Sequence, residues 1–390
     1  MNQRGERISA KGHVMKDTFF SENWAEATAK FDKLATQDFC RRKWFDGDGV
    51  RDTYSVPLCQ IGYGPHKIVI NSGIHGIEGY FGSAAQILFL DKFVDMFLGA
   101  KLSSKYTINL IHVINGWGMD HRMREVMDGK HGGLVDLNRN FGVDFSRPNT
   151  LPQNSEYMLA HDLLLSKPDA IHKKNAIKEF RKKHLSDGVW AAISNGQYHE
   201  PYGLFYGGAR EMSENKIALQ IYDYIMTPDA QSLVSIGLHT GLGRFNRKTG
   251  NATSEILVSH PVAHASSQYF KNVFGSSVPV VCDERAVHGP VLQGDLVDCL
   301  ESRYKSRDIP IFTADLEIGT GEYPIMSPIY KRMDMGDARY DLLHFGKISP
   351  QTFKNLTESW YPSHPAWRKS AMASANVLFK TLIDYMANNR

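Results

Sequence analysis

The chain has 390 residues, of which 42% are hydrophobic and 22% are charged, the balance of an ordinary globular protein. Its 45 Lys and Arg against 42 Asp and Glu give a net charge of +3, which argues against nucleic-acid binding and membrane-surface attachment. No run of about eighteen apolar residues occurs, so the sequence predicts no transmembrane helix.

The N-terminal end of the chain is expected to differ from the rest. Residues 1–18 predict a loose basic arm without the apolar core of a secretory signal, so we expect a cytoplasmic protein. Residues 19–390 contain no internal repeat, low-complexity tract or linker, and they predict a single domain. The cysteines lack CxxC spacing and are expected to be reduced thiols. They are Cys40, Cys59, Cys282 and Cys299.

Short apolar runs alternate with longer helical patterns along most of the chain. A first helix is predicted by Trp24, Ala27, Phe31 and Leu34, which share one helical face. The strand candidates are residues 67–72, 107–114, 232–238, 254–258, 278–282 and 309–317. The helix candidates that lie between and after them are residues 82–98, 153–165, 169–186, 212–226, 262–274, 290–306 and 368–387. This alternation predicts an α/β fold whose mainly parallel sheet is buried on both faces.

Two ionisable side chains follow the first strand candidate, in the segment "NSGIHGIEGYFGSA". His75 and Glu78 stand three residues apart beyond the C-terminal end of a strand, where the functional groups of open α/β sheets collect. Gly73, Gly76 and Gly79 allow the tight turn that would bring the pair together. Because HxxE is a common pattern, the pair alone is as typical of an ordinary loop histidine as of a metal ligand.

Two further strand candidates end in the same way. "SLVSIGLHTGLG" places His239 in a glycine-flanked turn, and "IFTADLEIGTGE" does the same with Glu317. Two histidines and one carboxylate leave a fourth position open on Zn²⁺, which is the arrangement of a catalytic zinc site. A further carboxylate outside the coordination shell would act as a general base. The three strand ends together therefore predict a catalytic metal site.

Arginines in two other segments could bind an anionic group. In "LVDLNRNF", Asn138 and Arg139 could clamp a carboxylate, since the planar guanidinium can donate two parallel hydrogen bonds to it. A structural salt bridge is the other interpretation of this arginine. Upstream, "INGWGMDHRMRE" offers Arg122 and Arg124, either of which could face a developing oxyanion.

The chain resembles the zinc carboxypeptidase (carboxypeptidase A-like) superfamily in four motifs that occur in the expected order, "SGIHGIEG", "DLNRNF", "LHTGLG" and "LEIGTG". Three more segments narrow the resemblance to a subgroup known as domain of unknown function 2817; they are "FFSENWAEATAKF", "GQYHEPYGLFYGG" and "WYPSHPAWR". The resemblance covers about residues 19–385. It implies a mixed, mainly parallel eight-stranded sheet flanked by helices on both faces.

The resemblance also implies a role for each candidate residue, with one zinc ion bound per chain. The matching residues are His75, Glu78 and His239 for the zinc ligands, Glu317 for the general base, Arg124 for the oxyanion-stabilising arginine, and Asn138 and Arg139 for the pair that binds the substrate's terminal carboxylate.

Three features of the resembling proteins are not matched one to one. The Asn-Pro expected after the strand candidate at residues 107–114 is here Asn115-Gly116. Where the subgroup usually has an aspartate, this chain has Gly237. An aspartate there would lie on the same strand face as His239 and could orient it, so the glycine removes this support from the ligand. The mobile tyrosine of carboxypeptidases has three candidates, among which the sequence does not choose. They are Tyr198, Tyr202 and Tyr206.

These residues predict a zinc-dependent metallohydrolase, a carboxypeptidase-like enzyme that cleaves an amide or peptide bond next to a free carboxylate. An aspartoacylase- or desuccinylase-like deacylase of N-acyl amino acids is an alternative with the same zinc site, although "NRNF" favours the carboxypeptidase. A non-catalytic metal- or peptide-binding relative is a third hypothesis. It is disfavoured because every position that is expected to carry a reactive residue does carry one. The expected partner is therefore a peptide or an acylated amino acid, and neither nucleic acid nor a membrane.

Overall fold

The computed structural model describes residues 19–35, 39–46, 54–166, 170–184, 193–259, 264–282, 294–322 and 328–389. The predicted arm, residues 1–18, lies outside the described residues. The strands are β1 (Cys40–Phe45), β2 (Val56–Gly62), β3 (His66–Ser72), β4 (Tyr106–Ile111), β5 (Val126–Met127), β6 (Leu134–Val135), β7 (Ser232–Thr240), β8 (Arg244–Asn246), β9 (Asn251–Ala252), β10 (Ser254–Val258), β11 (Val280–Cys282), β12 (Ile311–Ile318) and β13 (Gly321–Glu322).

The helices are α1 (Trp24–Ala35), α2 (Gly79–Lys92), α3 (Val94–Gly99), α4 (Gly116–Asp120), α5 (Ser155–Leu165), α6 (Ala170–Lys183), α7 (Ser213–Ile225), α8 (Ala265–Phe274), α9 (Leu296–Tyr304), α10 (Pro328–Phe345), α11 (Pro350–Trp360) and α12 (Pro365–Asn388). Within the described part of the chain, none of these helices combines the length and the apolar character needed to cross a membrane.

One eight-stranded mixed sheet forms the centre of the fold, in the order β1-β2-β4-β3-β7-β12-β10-β11. Four of its seven strand pairings are parallel; the three antiparallel pairings are β1 with β2, β2 with β4, and β10 with β12. The predicted mixed eight-stranded sheet is confirmed, but parallel pairings outnumber antiparallel ones only narrowly. The continuous parallel block β4-β3-β7-β12 contains the strands whose ends carry the predicted site.

Hydrophobic clusters cover both faces of the sheet because successive strand residues point to opposite sides. In β3, Ile68 and Ile70 belong to one cluster, whereas Val69 belongs to the other. Helix α2 packs on the first side with its residues 79–90 buried, and α7 packs on the second through side chains such as Ile221. Helices therefore flank the sheet on both faces, as the sequence predicts.

Each of the six strand candidates overlaps an observed strand, but the sequence pattern does not indicate β1 or β2. Strand β1 lies at the sheet edge and carries Arg41, Arg42 and Lys43, all exposed, so it has no apolar repeat. Strand β2 contains Pro57, which in sequence argues against a strand. Helices α10 and α11 are likewise not indicated by the pattern.

The expectation of four reduced cysteines is wrong for two of them. Cys40 in β1 and Cys59 in β2 form a disulfide bond, with Cα atoms 5.9 Å apart. The antiparallel pairing of the two strands brings these cysteines together, and no sequence spacing announces it. Cys282 and Cys299 carry free thiols. The cytoplasmic location stays a prediction.

Candidate metal centre

The turn after β3 carries the first two candidate ligands. Gly73 has a φ of 67°, and a Cβ atom at Gly76 would lie 2.2 Å from the carbonyl carbon of Gly118. Glycine at these positions therefore permits both the turn and the close approach of the backbone. The turn brings the side chains of His75 and Glu78 within 3.0 Å of each other, and Glu78 immediately precedes α2.

His75, Glu78 and His239 form one buried cluster. His239 lies in β7, which pairs with β3 in parallel. Nδ1 of His75 is 3.0 Å from Oε1 of Glu78, and Nδ1 of His239 is 3.0 Å from Oε2 of the same carboxylate. One ligand atom from each residue lies within 4.8 Å of the other two. The fold thus brings together the three side chains that the sequence predicts as metal ligands.

The cluster fits a zinc ion. Two imidazole nitrogens and one carboxylate oxygen form a ligand set of catalytic zinc sites. Nδ1 of His75 is buried and lies 3.0 Å from Oε1 of Glu78 without the alignment of a hydrogen bond, as expected of two atoms that bind the same metal. Burial alone would raise the pKa of the Glu78 carboxyl, but His75 and His239 outweigh it and hold this pKa well below its ordinary value. The carboxyl is therefore ionised, as a metal ligand must be.

Each histidine contacts a second carboxylate through its other ring nitrogen. Nε2 of His75 is 3.2 Å from Oδ1 of Asp136, and Nε2 of His239 is 3.6 Å from Oδ1 of Asp315. Burial lowers the pKa of His239, but Asp315 and Glu78 outweigh burial and raise it to about 10. The surroundings of His239 therefore favour a positive charge.

Sequence reasoning misses both of these aspartates. Asp136 stands in the motif "LVDLNRNF", two residues before Asn138, and its position after a short strand is the signal that could have found it. Asp315 stands two residues before Glu317, so the two side chains share a face of β12. Its contact with His239 depends on strand order, which the motif does not reveal.

The carboxylate of Glu317 lies beside the cluster. Glu317 stands opposite His239 in the parallel register of β12 and β7, and its Oε2 accepts a hydrogen bond from the backbone N–H of Leu242 at 3.4 Å. Burial raises the pKa of this carboxyl to about 8; His239 opposes the shift, whereas Glu78 and Asp315 add to it. A carboxyl group whose pKa is raised above its ordinary value is a stronger proton acceptor, which suits it to proton transfer.

A buried lysine from α10, which no sequence motif marks, lies close to Glu317. Nζ of Lys331 donates to the carbonyl oxygen of Gly241 and to Oγ1 of Thr320. It thereby connects the turns that follow β7 and β12. Burial lowers the pKa of Lys331 to about 8, and the charge of Glu317 opposes this shift.

Of the two candidate oxyanion arginines, Arg124 lies at the cluster. Its Nη1 forms an ion pair with Oδ2 of Asp136, and its Nε is 3.7 Å from Oε1 of Glu78. Arg122 instead lies 3.8 Å from Glu22. Burial disfavours the Arg124 cation, but Asp136 and Glu78 outweigh burial and raise its pKa. Arg124 is therefore a permanent positive charge beside the ligands.

Asn138 and Arg139 lie in the turn after β6. Nη1 of Arg139 donates to the carbonyl oxygen of Asn138 at 2.7 Å, and Nη2 donates to the carbonyl oxygen of Ser194 at 2.5 Å. Oδ1 of Asn138 accepts a hydrogen bond from the backbone of Leu296 at 3.1 Å. Within the described ranges Arg139 forms no ion pair, and its Nε has no hydrogen-bond partner. These contacts do not support the salt-bridge interpretation of Arg139.

The three candidate tyrosines occupy different positions. The hydroxyl of Tyr198 donates to the carbonyl oxygen of Arg139 at 2.7 Å. Tyr206 is buried, and its carbonyl oxygen accepts a hydrogen bond from the backbone N–H of Asp136 at 2.8 Å. Tyr202 is half-buried. Tyr198 is thus hydrogen-bonded to the backbone of Arg139.

Three arginines surround the ring of Phe205, another residue that sequence reasoning misses. The guanidinium carbons of Arg124, Arg139 and Arg332 lie 5.1, 5.9 and 6.0 Å from its centroid. Phe205 has a φ of 54°, an uncommon value for a non-glycine residue and one that is enriched at functional sites. These three arginines come from segments that are far apart in the chain, and together they place positive charge next to the candidate ligands.

A family model described as "Protein of unknown function (DUF2817)" matches residues 20–374, and the chain belongs to this family. No curated protein sequence matches the chain.

Among solved structures, the fold is similar to that of bovine thrombin-activatable fibrinolysis inhibitor in complex with tick carboxypeptidase inhibitor. The TM-score is 0.53 at 10% identity, and the match covers 95% of this chain and 98% of that chain. Carboxypeptidase A from Helicoverpa armigera matches with a TM-score of 0.45 at 12% identity, over 91% of this chain and 74% of that one. An aspartoacylase family protein from Mesorhizobium loti matches with a TM-score of 0.38 at 12% identity, over 81% and 69%. The first of these matches, with a TM-score above 0.5, shows that the chain has the carboxypeptidase-like fold.

Proposed function

We propose that this member of the DUF2817 family is a zinc-dependent hydrolase that cleaves an amide bond next to a free carboxylate. The observation that carries the proposal is the buried cluster of His75, Glu78 and His239 with the carboxylate of Glu317 beside it. Residues 19–390 would act as one catalytic domain.

The three clustered side chains would hold one zinc ion per chain. When bound, such an ion polarises the scissile carbonyl and acidifies a water molecule. Glu317 would accept the proton of the attacking water and return it to the nitrogen of the departing amine. Its buried position and its place opposite His239 support this role, and Lys331 would hold the adjoining turns in place.

The positive charges at the site support a substrate with a carboxylate. Arg139 would bind this group through its planar guanidinium, with the amide of Asn138 beside it. Arg124, which lies nearer the ligands, would stabilise the negative charge that develops on the carbonyl oxygen. Arg332, which lies near the ring of Phe205, adds to the positive potential at the site.

The test combines zinc analysis with a substrate screen on purified protein. Wild-type protein is expected to bind about one zinc per chain, and His75→Ala or His239→Ala is expected to lose most of it. The screen compares short peptides with N-acyl amino acids. Preferential cleavage of the latter would assign the chain to the deacylase alternative, and zinc binding without hydrolysis of either would indicate a non-catalytic relative.

Recognition of the carboxylate has its own measurement. Amidation of the substrate's terminal carboxylate removes the partner of Arg139, and losing one charged hydrogen bond costs about 2–3 kcal/mol, or about 30- to 150-fold in kcat/KM. We expect wild-type enzyme to discriminate by this factor. Arg139→Lys should slow only the free acid, so the amidated substrate serves as the internal control. Equal rates of wild type on both substrates would contradict the proposed role of Arg139.

A further inference from the structure

The ring of His239 faces a carboxylate that belongs to the neighbouring strand. Strands β7 and β12 are parallel, with Asp315 opposite Gly237 and Glu317 opposite His239. Because residues two apart share a strand face, Asp315 lies diagonally from His239 on the side of the sheet where the ring stands. The distance from His239 Nε2 to Asp315 Oδ1 is 3.6 Å, which is within ion-pair range.

The glycine opposite Asp315 makes room for this contact. A Cβ atom at Gly237 would lie 2.2 Å from Oδ1 of Asp315 and 3.0 Å from Cδ2 and Nε2 of the His239 ring. Gly237 has no positive φ, so its backbone conformation does not require glycine. The space taken by the aspartate and the histidine ring is therefore the physical reason for glycine at this position.

The two histidines of the cluster are held in equivalent ways. Each directs Nδ1 toward Glu78 and Nε2 toward an aspartate, which is Asp136 for His75 and Asp315 for His239. A carboxylate behind a ligating histidine fixes its tautomer and orientation and makes it a better donor to the metal. The carboxylate that is missing at Gly237 on the ligand's own strand is therefore present on the adjacent strand.

We propose that Asp315 is a positioning residue, which orients His239 for metal binding across the strand pair, and that Gly237 is the opening that permits it. This inference rests on the proposed function, since it requires a metal at the cluster. It predicts that changing either Asp315 or Gly237 alone weakens metal binding, although neither residue supplies a ligand atom.

The first experiment measures zinc dissociation constants by competition with a chromophoric chelator. Asp315→Asn keeps a weak acceptor and Asp315→Ala removes it, so affinity is expected to fall in that order, by about 10- to 100-fold for alanine. Asp341→Asn is the matched control, because it changes a buried carboxyl of α10 that accepts a hydrogen bond from the backbone N–H of Ser349. Zinc affinity of Asp315→Ala within twofold of wild type would overturn the inference.

The second experiment moves the carboxylate from one strand to the other. Gly237→Ala leaves Asp315 in place and should weaken zinc binding through the clash, whereas Gly237→Asp combined with Asp315→Gly should restore it. Proton NMR of the zinc-loaded protein should show a downfield His239 Nε2–H signal that Asp315→Ala removes. If the double variant binds zinc no more tightly than Asp315→Ala does, the inference that a carboxylate on either strand can orient His239 is refuted. Absence of zinc binding in wild type would instead refute the proposed function.

Discussion

Substitution of Asp136 tests whether one buried carboxylate supports both the metal ligands and the oxyanion arginine. Asp136 is fully buried, and it accepts hydrogen bonds from His75 Nε2 at 3.2 Å and from the backbone N–H of Asn138 at 3.0 Å. Its second oxygen is paired with Arg124. Asp136→Asn keeps the shape of the side chain but removes the charge, and its amide nitrogen would face another donor.

The size of the effect follows from these contacts. Removing one partner of a buried ion pair costs about 3–5 kcal/mol of unfolding free energy. Two carboxylates remain near Arg124, with Glu78 at 3.7 Å and Glu125 at 4.0 Å, so we expect the lower end of this range, about 3 kcal/mol. Zinc affinity should fall by about 10- to 100-fold because His75 loses the carboxylate behind it.

Urea unfolding in the presence of a chelator isolates the first effect, and competition titration with zinc measures the second. Asp144→Asn, at a carboxylate in an exposed loop, is the control for the chemical change. Combining Asp136→Asn with Arg124→Met should destabilise the protein by less than the sum of the single changes, since the unpaired cation is gone. A loss below about 1 kcal/mol together with unchanged zinc affinity would refute this account of Asp136.

Two further predictions concern individual carboxyl groups. Glu317→Gln should retain zinc while the rate of hydrolysis falls by about 10²- to 10⁴-fold, and an unchanged rate would mean that another residue accepts the proton. Burial, with a smaller contribution from Asp315, raises the pKa of Asp295 to about 7, so the folded protein holds a proton that the unfolded chain releases near pH 4. The contribution of Asp295 to stability should therefore decrease between pH 4 and 7. Asp295→Asn, which can still cap α9, should be more stable than wild type by about 1–4 kcal/mol at pH 8 and equally stable at pH 4 in chelator-treated samples. The same difference in unfolding free energy between Asp295→Asn and wild type at pH 4 and at pH 8 would contradict the raised pKa of Asp295.

The parts of the fold that could be predicted from sequence are those in which burial alone determines the residue pattern. Central strands such as β3 and β7 are buried on both faces and read as continuous apolar runs. The exposed edge strand β1 has no such pattern, and its identity depends on pairing with β2. The Cys40–Cys59 bond is hidden for the same reason, because it depends on a pairing rather than on a spacing.

The residues of the candidate site also differ in whether the sequence alone could predict them. The side chains at the ends of β3, β7 and β12 could be predicted because each follows an apolar strand within a glycine-rich turn. Asp315, Lys331 and Phe205 could not, since each acts through a contact with a segment distant in sequence. The dependence on contacts between distant segments also applies to Gly237. Considered along its own strand, the glycine indicates a missing carboxylate, but the neighbouring strand fills the space with Asp315. The chemical meaning of that glycine therefore depends on strand order and register, since under the proposal above Asp315 of the adjacent strand supplies the carboxylate that β7 lacks.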